Sequence, residues 1–331
     1  VLSATTVAVQ KTVKPTSGLI TWANRWDHIL ARLGVRRGNH RVEPGLYSIG
    51  HPDHDSPVLV SANYTLSFDA LRFSLVGADA YILVLDTKGI NVWCAAGKGT
   101  FGTDELVQRV KGTGLLNVVD HRTLILPQLG APGVSAHEVR ERSGFRVKYG
   151  PVRAQDLQEY LLQGRITPEM RRVRFGVADR AVLIPVEAAH ILVPLLVVVT
   201  VLKLTGVVNQ IFNPAVAAVV AGIVLFPLLL PWIPTRDFST KGFILGAVAA
   251  LPLIFRDVLS IPQITWWRVS AQVLSTLLLV SSITAYLSLN FTGSTTFTSR
   301  SGVRREIFRY VPVMAVTFMI GLVLAVLLRI F

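Results

Sequence analysis

From Ala181 onward the chain is written mostly in apolar residues, in runs that can be set against the roughly 20 residues an α-helix needs to cross a bilayer. Five runs are expected as spans: 181–202, 211–233, 242–255, 269–289 and 310–328. The third is short and contains Pro252, so its ends are the least defined. The residues before Ala181 have the composition of a soluble domain, and the 51% hydrophobic content of the whole chain averages two unlike halves.

Flanking charge gives the expected orientation, because cytoplasmic loops collect Lys and Arg. Arg165, Arg171, Arg172, Arg174 and Arg180 precede the first run, Arg236 and Lys241 close the second, and Arg300, Arg304, Arg305 and Arg309 follow the fourth. The other side holds only Lys203, Arg256, Arg268 and Arg329. Five spans with the N-terminal half in the cytoplasm fit this asymmetry and predict a multi-pass protein of the cytoplasmic (inner) membrane, with its C-terminus outside. Basic flanks facing anionic membrane lipid account for much of the net charge of +13. Without a nucleic-acid motif, no nucleic-acid partner is expected.

In the first half, "SPVLVSAN" and "AYILVLD" read as strands buried on both faces of a parallel sheet, with "LSFDALRFSLVG" a helix between them. "TDELVQRVKG" reads as a helix that Thr103 can cap. "TLILP" and "FRVKYG" follow as strands, alternating with "VSAHEVRERSG" and "AQDLQEYLLQG" as helices closed by Gly144 and Gly164. The pattern predicts an α/β, doubly wound (Rossmann/flavodoxin-like) domain followed by an all-α transmembrane domain of about five helices. The expected division is an N-terminal arm 1–25, the α/β domain 26–164, a basic linker 165–180 and the transmembrane domain 181–331. Such sheets bind ligands beyond the C-terminal ends of their strands. Three connections on that rim are rich in Gly or Pro: the stretch after Asp86, "PQLGAPG" and "GPVRA".

The first of these, "NVWCAAGK", holds Cys94, the single cysteine in 331 residues. No internal disulfide is possible, and no basic segment followed by a small-residue cleavage site opens the sequence, so this half is expected to be cytosolic. Packed core residue, catalytic nucleophile and ligand to a metal or cofactor all remain open for a lone thiol. "AAGKGT" is not a phosphate loop, since Val92 stands where that motif needs its first Gly and Gly99 where it needs Ser or Thr. One cysteine alone cannot hold an iron–sulfur cluster or a tetrathiolate zinc. His51, His54, His121 and His137 leave a Cys–His nucleophile pair open. "HPDHD" carries four possible ligands, His51, Asp53, His54 and Asp55, but its turn-forming residues favour a solvated loop.

"NVWCAAGKGTFGTDEL" closely resembles the cap-helix motif of the corrinoid proteins of microbial mercury methylation, the HgcA family. The likeness runs from about Trp26 through "RVEPGLYSIG", "SPVLVSANYTLSFDALR" and "LDTKGINVWCAAGKGTFGT" to "HRTLILPQLGAPGVSAHEVRERSGFRVKYGPVRAQDL", and includes a multi-span C-terminal part. A cysteine at this place sets that family apart from the related corrinoid domain of the corrinoid iron–sulfur protein. Residues before Trp26 and the individual spans match only loosely.

The resemblance implies a corrinoid-dependent methyltransferase of anaerobic metabolism that passes a methyl group from the corrinoid to Hg(II), giving methylmercury. The cofactor would be of cobalamin type, base-off, with Cys94 as thiolate on the lower axial face of its cobalt. A thiolate opposite the methyl group favours departure of the methyl with its electron pair toward a soft electrophile. A nearby helix N-terminus and the metal's own charge favour the thiolate form. By the same resemblance, Asn91 would fix the segment, Val92 would contact the cofactor, Trp93 would pack the segment onto the domain, Ala95, Ala96 and Gly97 would keep it slim beside the ring, and Lys98 would meet a corrin side chain. Thr65, with Gln128, Leu129, Gly130, Ala131 and Gly133 and with Gly150, Pro151 and Val152, would line the cofactor. Gly130, Gly133 and Gly150 are expected to leave room for it. A ferredoxin-like reductant with 4Fe-4S clusters (HgcB type) and a methyl-donor enzyme of the methyl-tetrahydrofolate pathway are the implied partners. Glu187 and His190 share one side of the first span and could guide Hg(II) or bond near the interface. The alternatives outside this family are a membrane transporter or sensor with a cytosolic ligand-binding domain, and a thiol hydrolase.

Overall fold

A computed structural model describes residues 13–36, 38–205, 208–259, 265–295 and 298–330. Six strands form one sheet: β1 (Val13–Thr16), β2 (Gly45–Ile49), β3 (Val58–Ala62), β4 (Ala80–Leu85), β5 (Thr123–Leu126) and β6 (Arg146–Tyr149), in the order β1-β2-β4-β3-β5-β6. The four strands expected from their apolar runs, β3 to β6, are mutually parallel. β3 and β4 are buried along their whole length, as central strands covered on both faces must be. β1 and β2 are additions to that expectation: they pair in parallel with each other, and β2 runs antiparallel to β4.

Around the sheet lie α1 (Trp22–Arg32), α2 (Thr65–Ser74), α3 (Val92–Lys98), α4 (Thr103–Gly112), α5 (Ala136–Ser143), α6 (Leu157–Gln163) and α7 (Pro168–Arg171). Strand side chains alternate between faces and so build two cores. Val58, Val60, Ala62, Leu83, Leu85, Leu124 and Leu126 meet residues of α3, α4 and α5. Leu59, Ile82 and Val84 meet Phe68 of α2, Leu157 and Tyr160 of α6, and Met170 of α7. The chain steps from β3 to β4 and then crosses back over β3 to reach β5. The order therefore reverses between β3 and β5, and beyond their C-terminal ends lies the crevice such folds use for ligands.

Two compact units divide between Val173 and Arg174. Part of the expected arm 1–25 is thus sheet: β1 pairs with β2, and Arg72 holds the carbonyls of Ser17 and Leu19 at 2.6 and 2.7 Å. The front of the expected linker also belongs to this unit, because Met170 is buried in its core and its carbonyl accepts the Val152 N–H (2.9 Å).

The second unit contains α8 (Val177–Ala181), α9 (Ile184–Thr205), α10 (Val208–Val219), a π-helical turn Val220–Leu225, α11 (Phe226–Leu229), α12 (Phe238–Leu259), α13 (Trp266–Asn290) and α14 (Arg300–Ile330). Among the described residues, four segments are long and apolar enough to cross a membrane: Phe212–Leu229, Phe238–Leu259, Trp266–Gly293 and Ser301–Ile330. The first expected span, 181–202, falls on α9, some of whose side chains lie outside the described residues; it is not among the four. The expected third span, 242–255, is too short at both ends. Its helix has 22 residues because Glu306 accepts the Ser239 N–H (3.0 Å) at its start and Lys241 is satisfied by the Leu230 and Ile233 carbonyls.

Gly242 and Gly246, one turn apart on α12, let that helix approach α13 closely, the small-residue packing that holds helices together where no hydrophobic effect can. A Cβ at Gly246 would lie 2.6 Å from Ser281 Cα. Gly246→Leu is therefore expected to destabilise the helix bundle by about 1–3 kcal/mol. Thermal unfolding of the detergent-solubilised chain reads this as a midpoint lowered by several degrees. Gly293→Ala, where nothing lies within 4 Å of the added atom, should leave the midpoint unchanged.

Candidate functional site

The crevice is organised by Asn63, just past β3 and 1% exposed. Its Oδ1 accepts the N–H groups of Thr87 (3.1 Å) and Gly89 (3.0 Å), and its Nδ2 donates to Asp86 Oδ1 (3.2 Å). The Thr87 hydroxyl donates to the Ile90 carbonyl (2.7 Å), and Lys88 and Gly89 turn the chain at positive φ. One buried amide thus ties the end of β3 to the loop leaving β4 and fixes where α3 begins.

Asp86 contributes to the same loop. Burial acts to raise its pKa, but hydrogen bonds and charge from Lys88, with Arg109 farther off, outweigh that and hold the carboxyl below its usual range. A depressed carboxylate stabilises the fold above its unfolded pKa near 3.9, and this support fades as pH falls through the folded value. Protection of the Lys88 amide, whose N–H bonds Asp86 Oδ1 (3.1 Å), measured against the intrinsic exchange rate at each pH, is accordingly expected to fall only in that acid range. Asn63→Ala has a larger effect. It strands the Gly89 N–H, while the Thr87 N–H keeps the Leu85 carbonyl (3.1 Å) and the Thr87 hydroxyl keeps that of Ile90, and it is expected to cost about 1–3 kcal/mol in denaturant unfolding.

On this base stands α3, a helix of seven residues. Asn91 is its N-cap, Oδ1 accepting the Cys94 N–H (2.9 Å), and Gly99 ends it in the left-handed conformation at φ 82°. Ala95 and Ala96 are buried, Val92, Trp93 and Cys94 half-buried, and Gly97 and Lys98 exposed. Cys94 is a free thiol reachable from outside the core.

Packed against α3 is a 3₁₀ turn, Gln128–Gly133, following β5. A Cβ at Gly130 would lie 2.6 Å from the Phe101 ring, and one at Gly133 would strike the Phe101 carbonyl oxygen and come within 2.9 Å of Ala96 Cα. The missing side chains at these two glycines let the turn close on Phe101 and the cysteine helix. Gly150 is similar, a Cβ there meeting Ile125 Cγ2 at 3.1 Å. Open space lies instead at Gly97 and Gly99, where nothing falls within 4 Å of an added Cβ. Thr103 does not cap α4, whose N-cap is Gly102. Its Oγ1 accepts the Ser135 N–H (2.9 Å), while Tyr149 donates to the Val134 carbonyl (2.9 Å), and both bonds pin the chain leaving the turn.

Strand order sets the remaining expected residues along the rim. Thr65 is the first residue of α2, its N–H donating to the His40 carbonyl (3.1 Å). Gln128, Leu129 and Ala131 are half-buried on the 3₁₀ turn. Gly150 and Pro151 are buried and Val152 half-buried past β6, and the Gly150 N–H donates to the Leu126 carbonyl (2.8 Å). The structure thus joins α3 directly to the 128–133 turn and leaves Thr65 and 150–152 at the ends of neighbouring strands. Phe101, completely buried, is the contributor that the sequence reading missed. Its signal was the flanking "KGTFGT", whose glycines permit close approach on both sides.

The histidines left open as partners of Cys94 are placed in other parts of the unit. His54 meets the Val118 carbonyl (2.9 Å) and His121 the Ser56 carbonyl (2.9 Å), in loops that enter β3 and β5 at the opposite end of the sheet. His51 follows β2 at that same end, and His137 is exposed on α5. "HPDHD" forms a turn closed by Asp53 and Ser56 (2.7 Å), and among the described residues no group of His, Cys, Asp and Glu could hold a metal ion together.

Residues 33–161 match the family described as CO dehydrogenase/acetyl-CoA synthase delta subunit. The chain is 35% identical over 127 residues to the acetyl-CoA decarbonylase/synthase complex subunit gamma of Methanopyrus kandleri, covering 38% of this chain and 27% of that protein. It is 33% identical over 145 residues to the same subunit of Methanothermobacter thermautotrophicus, 41% of this chain and 31% of that one. With the corrinoid/iron-sulfur protein large subunit of Moorella thermoacetica it shares 28% over 153 residues, 44% of this chain and 34% of that protein. The chain thus spans about a third or less of the length of these relatives. The family match lies within the α/β unit, and the chain is related in sequence to the large subunit of a corrinoid/iron-sulfur protein.

Proposed function

We propose that the α/β unit binds a corrinoid over the C-terminal ends of its strands, and that the chain uses it to methylate Hg(II). The observation that carries this reading is a free, half-buried thiol on a short helix at the switch point of a sheet related to corrinoid proteins. The residues fit such a group. Cys94 is the chain's one soft anionic donor, the open positions at Gly97 and Gly99 leave its helix unobstructed on that side, and Ala95 and Ala96 add no bulk. Bound there, the corrinoid would supply the methyl group as a carbanion equivalent for Hg(II).

Each protein group has a task in this reading. Cys94 would hold the cobalt through its thiolate, and Asn91 orients it by holding the Cys94 N–H. Asn63 and Asp86 set the height of α3, and Phe101 with Gly133 backs it. Lys98 offers a donor to an amide side chain of the ring, and Thr65, Gln128, Leu129, Ala131 and Val152 complete the rim. One cysteine cannot hold a cluster, so electrons come from a ferredoxin-like protein with 4Fe-4S clusters, and the methyl group from an enzyme of the methyl-tetrahydrofolate pathway. The α/β unit faces the cytoplasm beside the inner membrane, on the side of the Arg-rich flanks. The test is to supply the anaerobically purified chain with methylcobalamin and thiol-bound Hg(II) and to assay methylmercury by mass spectrometry. Formation above a chain-free control supports the proposal, and formation only at the control rate refutes Hg(II) as acceptor.

A further inference from the structure

Helix α1 is inside out for the surface helix of a soluble domain. The side turned toward the domain carries polar Asp27 and His28 beside buried Ala31 and half-buried Leu30. Asp27 Oδ1 meets His40 Nδ1 at 2.7 Å, and His28 Nε2 meets Asp69 Oδ2 at 2.7 Å. Asp69 also binds Arg72 Nε (2.6 Å), and the Arg72 guanidinium fastens the segment leading into the helix through the carbonyls of Ser17 and Leu19. The opposite side carries Trp22, Trp26 and Ile29 at i, i+4 and i+7, which are 84%, 62% and 46% exposed, with Leu19 just before them 72% exposed.

Charge beside this ridge has one sign. Arg25, Arg32 and Arg36 are exposed, and the Arg25 guanidinium lies 5.5 Å from the centroid of the Trp22 ring. Between residues 13 and 42 the one acidic residue is Asp27, and it is turned inward to His40. Tryptophan at the headgroup level, an apolar ridge and an arginine rim together describe a helix that lies in a membrane interface. Among the described residues the same chain carries four helices apolar enough to cross a membrane, so the unit with this face is covalently tethered to a candidate membrane domain.

We propose that α1 and Leu19 dock on the surface of an anionic bilayer, with Trp22, Trp26 and Ile29 at the boundary between headgroups and acyl chains and Arg25, Arg32 and Arg36 on lipid phosphates. This contact is independent of the methyl-transfer reading. It would limit how the crevice at the strand ends is presented to partners approaching along the membrane.

The experiment places an environment-sensitive fluorophore on Ile29→Cys in a Cys94→Ala background, with the full chain in lipid nanodiscs. Leu162→Cys, on α6 and 88% exposed, is the comparator. In phosphatidylcholine discs containing phosphatidylserine, the probe at 29 is expected to emit to the blue of the probe at 162 and to lose intensity to a shallow spin-labelled lipid. Both signals should decline when phosphatidylserine is omitted or when Arg25, Arg32 and Arg36 are changed to Glu. Aqueous emission at 29 in both lipids would overturn the proposal. A blue shift without quenching by the labelled lipid would overturn it too, because protein, such as a second copy of the chain, would then cover the face. Equal quenching with and without phosphatidylserine would overturn its electrostatic half.

Discussion

Cys94→Thr is expected to end methyl transfer to Hg(II) while the α/β unit stays folded. Thr is close to Cys in volume and keeps the backbone N–H that Asn91 caps, so the start of α3 survives at a helix-propensity cost of a few tenths of a kcal/mol, roughly. What it cannot supply is a soft anionic donor to cobalt. The loss of rate should exceed the roughly 10–100-fold seen when only a partner of a metal ligand is changed. Cys94→Ala should behave alike, and both variants should retain some corrinoid, because most of the rim belongs to other loops. Methylmercury formation at the parental rate by the Thr variant would return Cys94 to the role of a packed side chain.

The second large effect is expected at Gly133. The atoms a Cβ would meet there are the Phe101 carbonyl oxygen and Ala96 Cα, both backbone, which cannot rotate away as a flexible side chain does. Gly133→Val should therefore push the 128–133 turn off the cysteine helix and cost about 3 kcal/mol, the upper end for overpacking. Gly97→Leu separates seat from surface. Nothing lies within 4 Å of its Cβ position, so the apoprotein should keep the parental unfolding midpoint while corrinoid retention falls. A Gly133→Val variant as stable as the parent would show that the turn does not support α3. A Gly97→Leu variant with full corrinoid content would move the ring away from that side of the helix.

The central strands were legible because burial on both faces leaves no room for a polar alternation: β3 and β4 read as unbroken apolar runs and fold as such. β1 and β2 were not. "VKPT" and "GLYSI" are short and mixed, and their direction depends on pairing between segments about 30 residues apart, which local pattern does not carry. α1 escaped for a related reason, since its apolar ridge points outward and its attachment runs largely through His–Asp pairs, with Ala31 its one buried apolar residue. At the site, the cysteine motif and the rim loops were readable as short stretches. The purpose of Gly130 and Gly133 was not, because Phe101 stands about 30 residues away along the chain. The role of Asn63 was not legible either, because its hydrogen-bond partners stand 23 to 26 positions on. In the membrane part, the ends of α12 were hidden because Lys241 reads as the close of a span, whereas the folded chain hands its ammonium to two backbone carbonyls.

The central claim is that Cys94 holds the cobalt of a bound corrinoid. It is tested most directly by purifying the full chain anaerobically with a corrinoid supply and recording cobalt content and ultraviolet–visible spectrum beside Cys94→Thr. The account predicts equimolar cobalt in the parent and a spectrum that shifts in the Thr variant toward a form with water or no ligand on the lower face. A parent without cobalt, or a Thr variant with an unchanged spectrum, would contradict it.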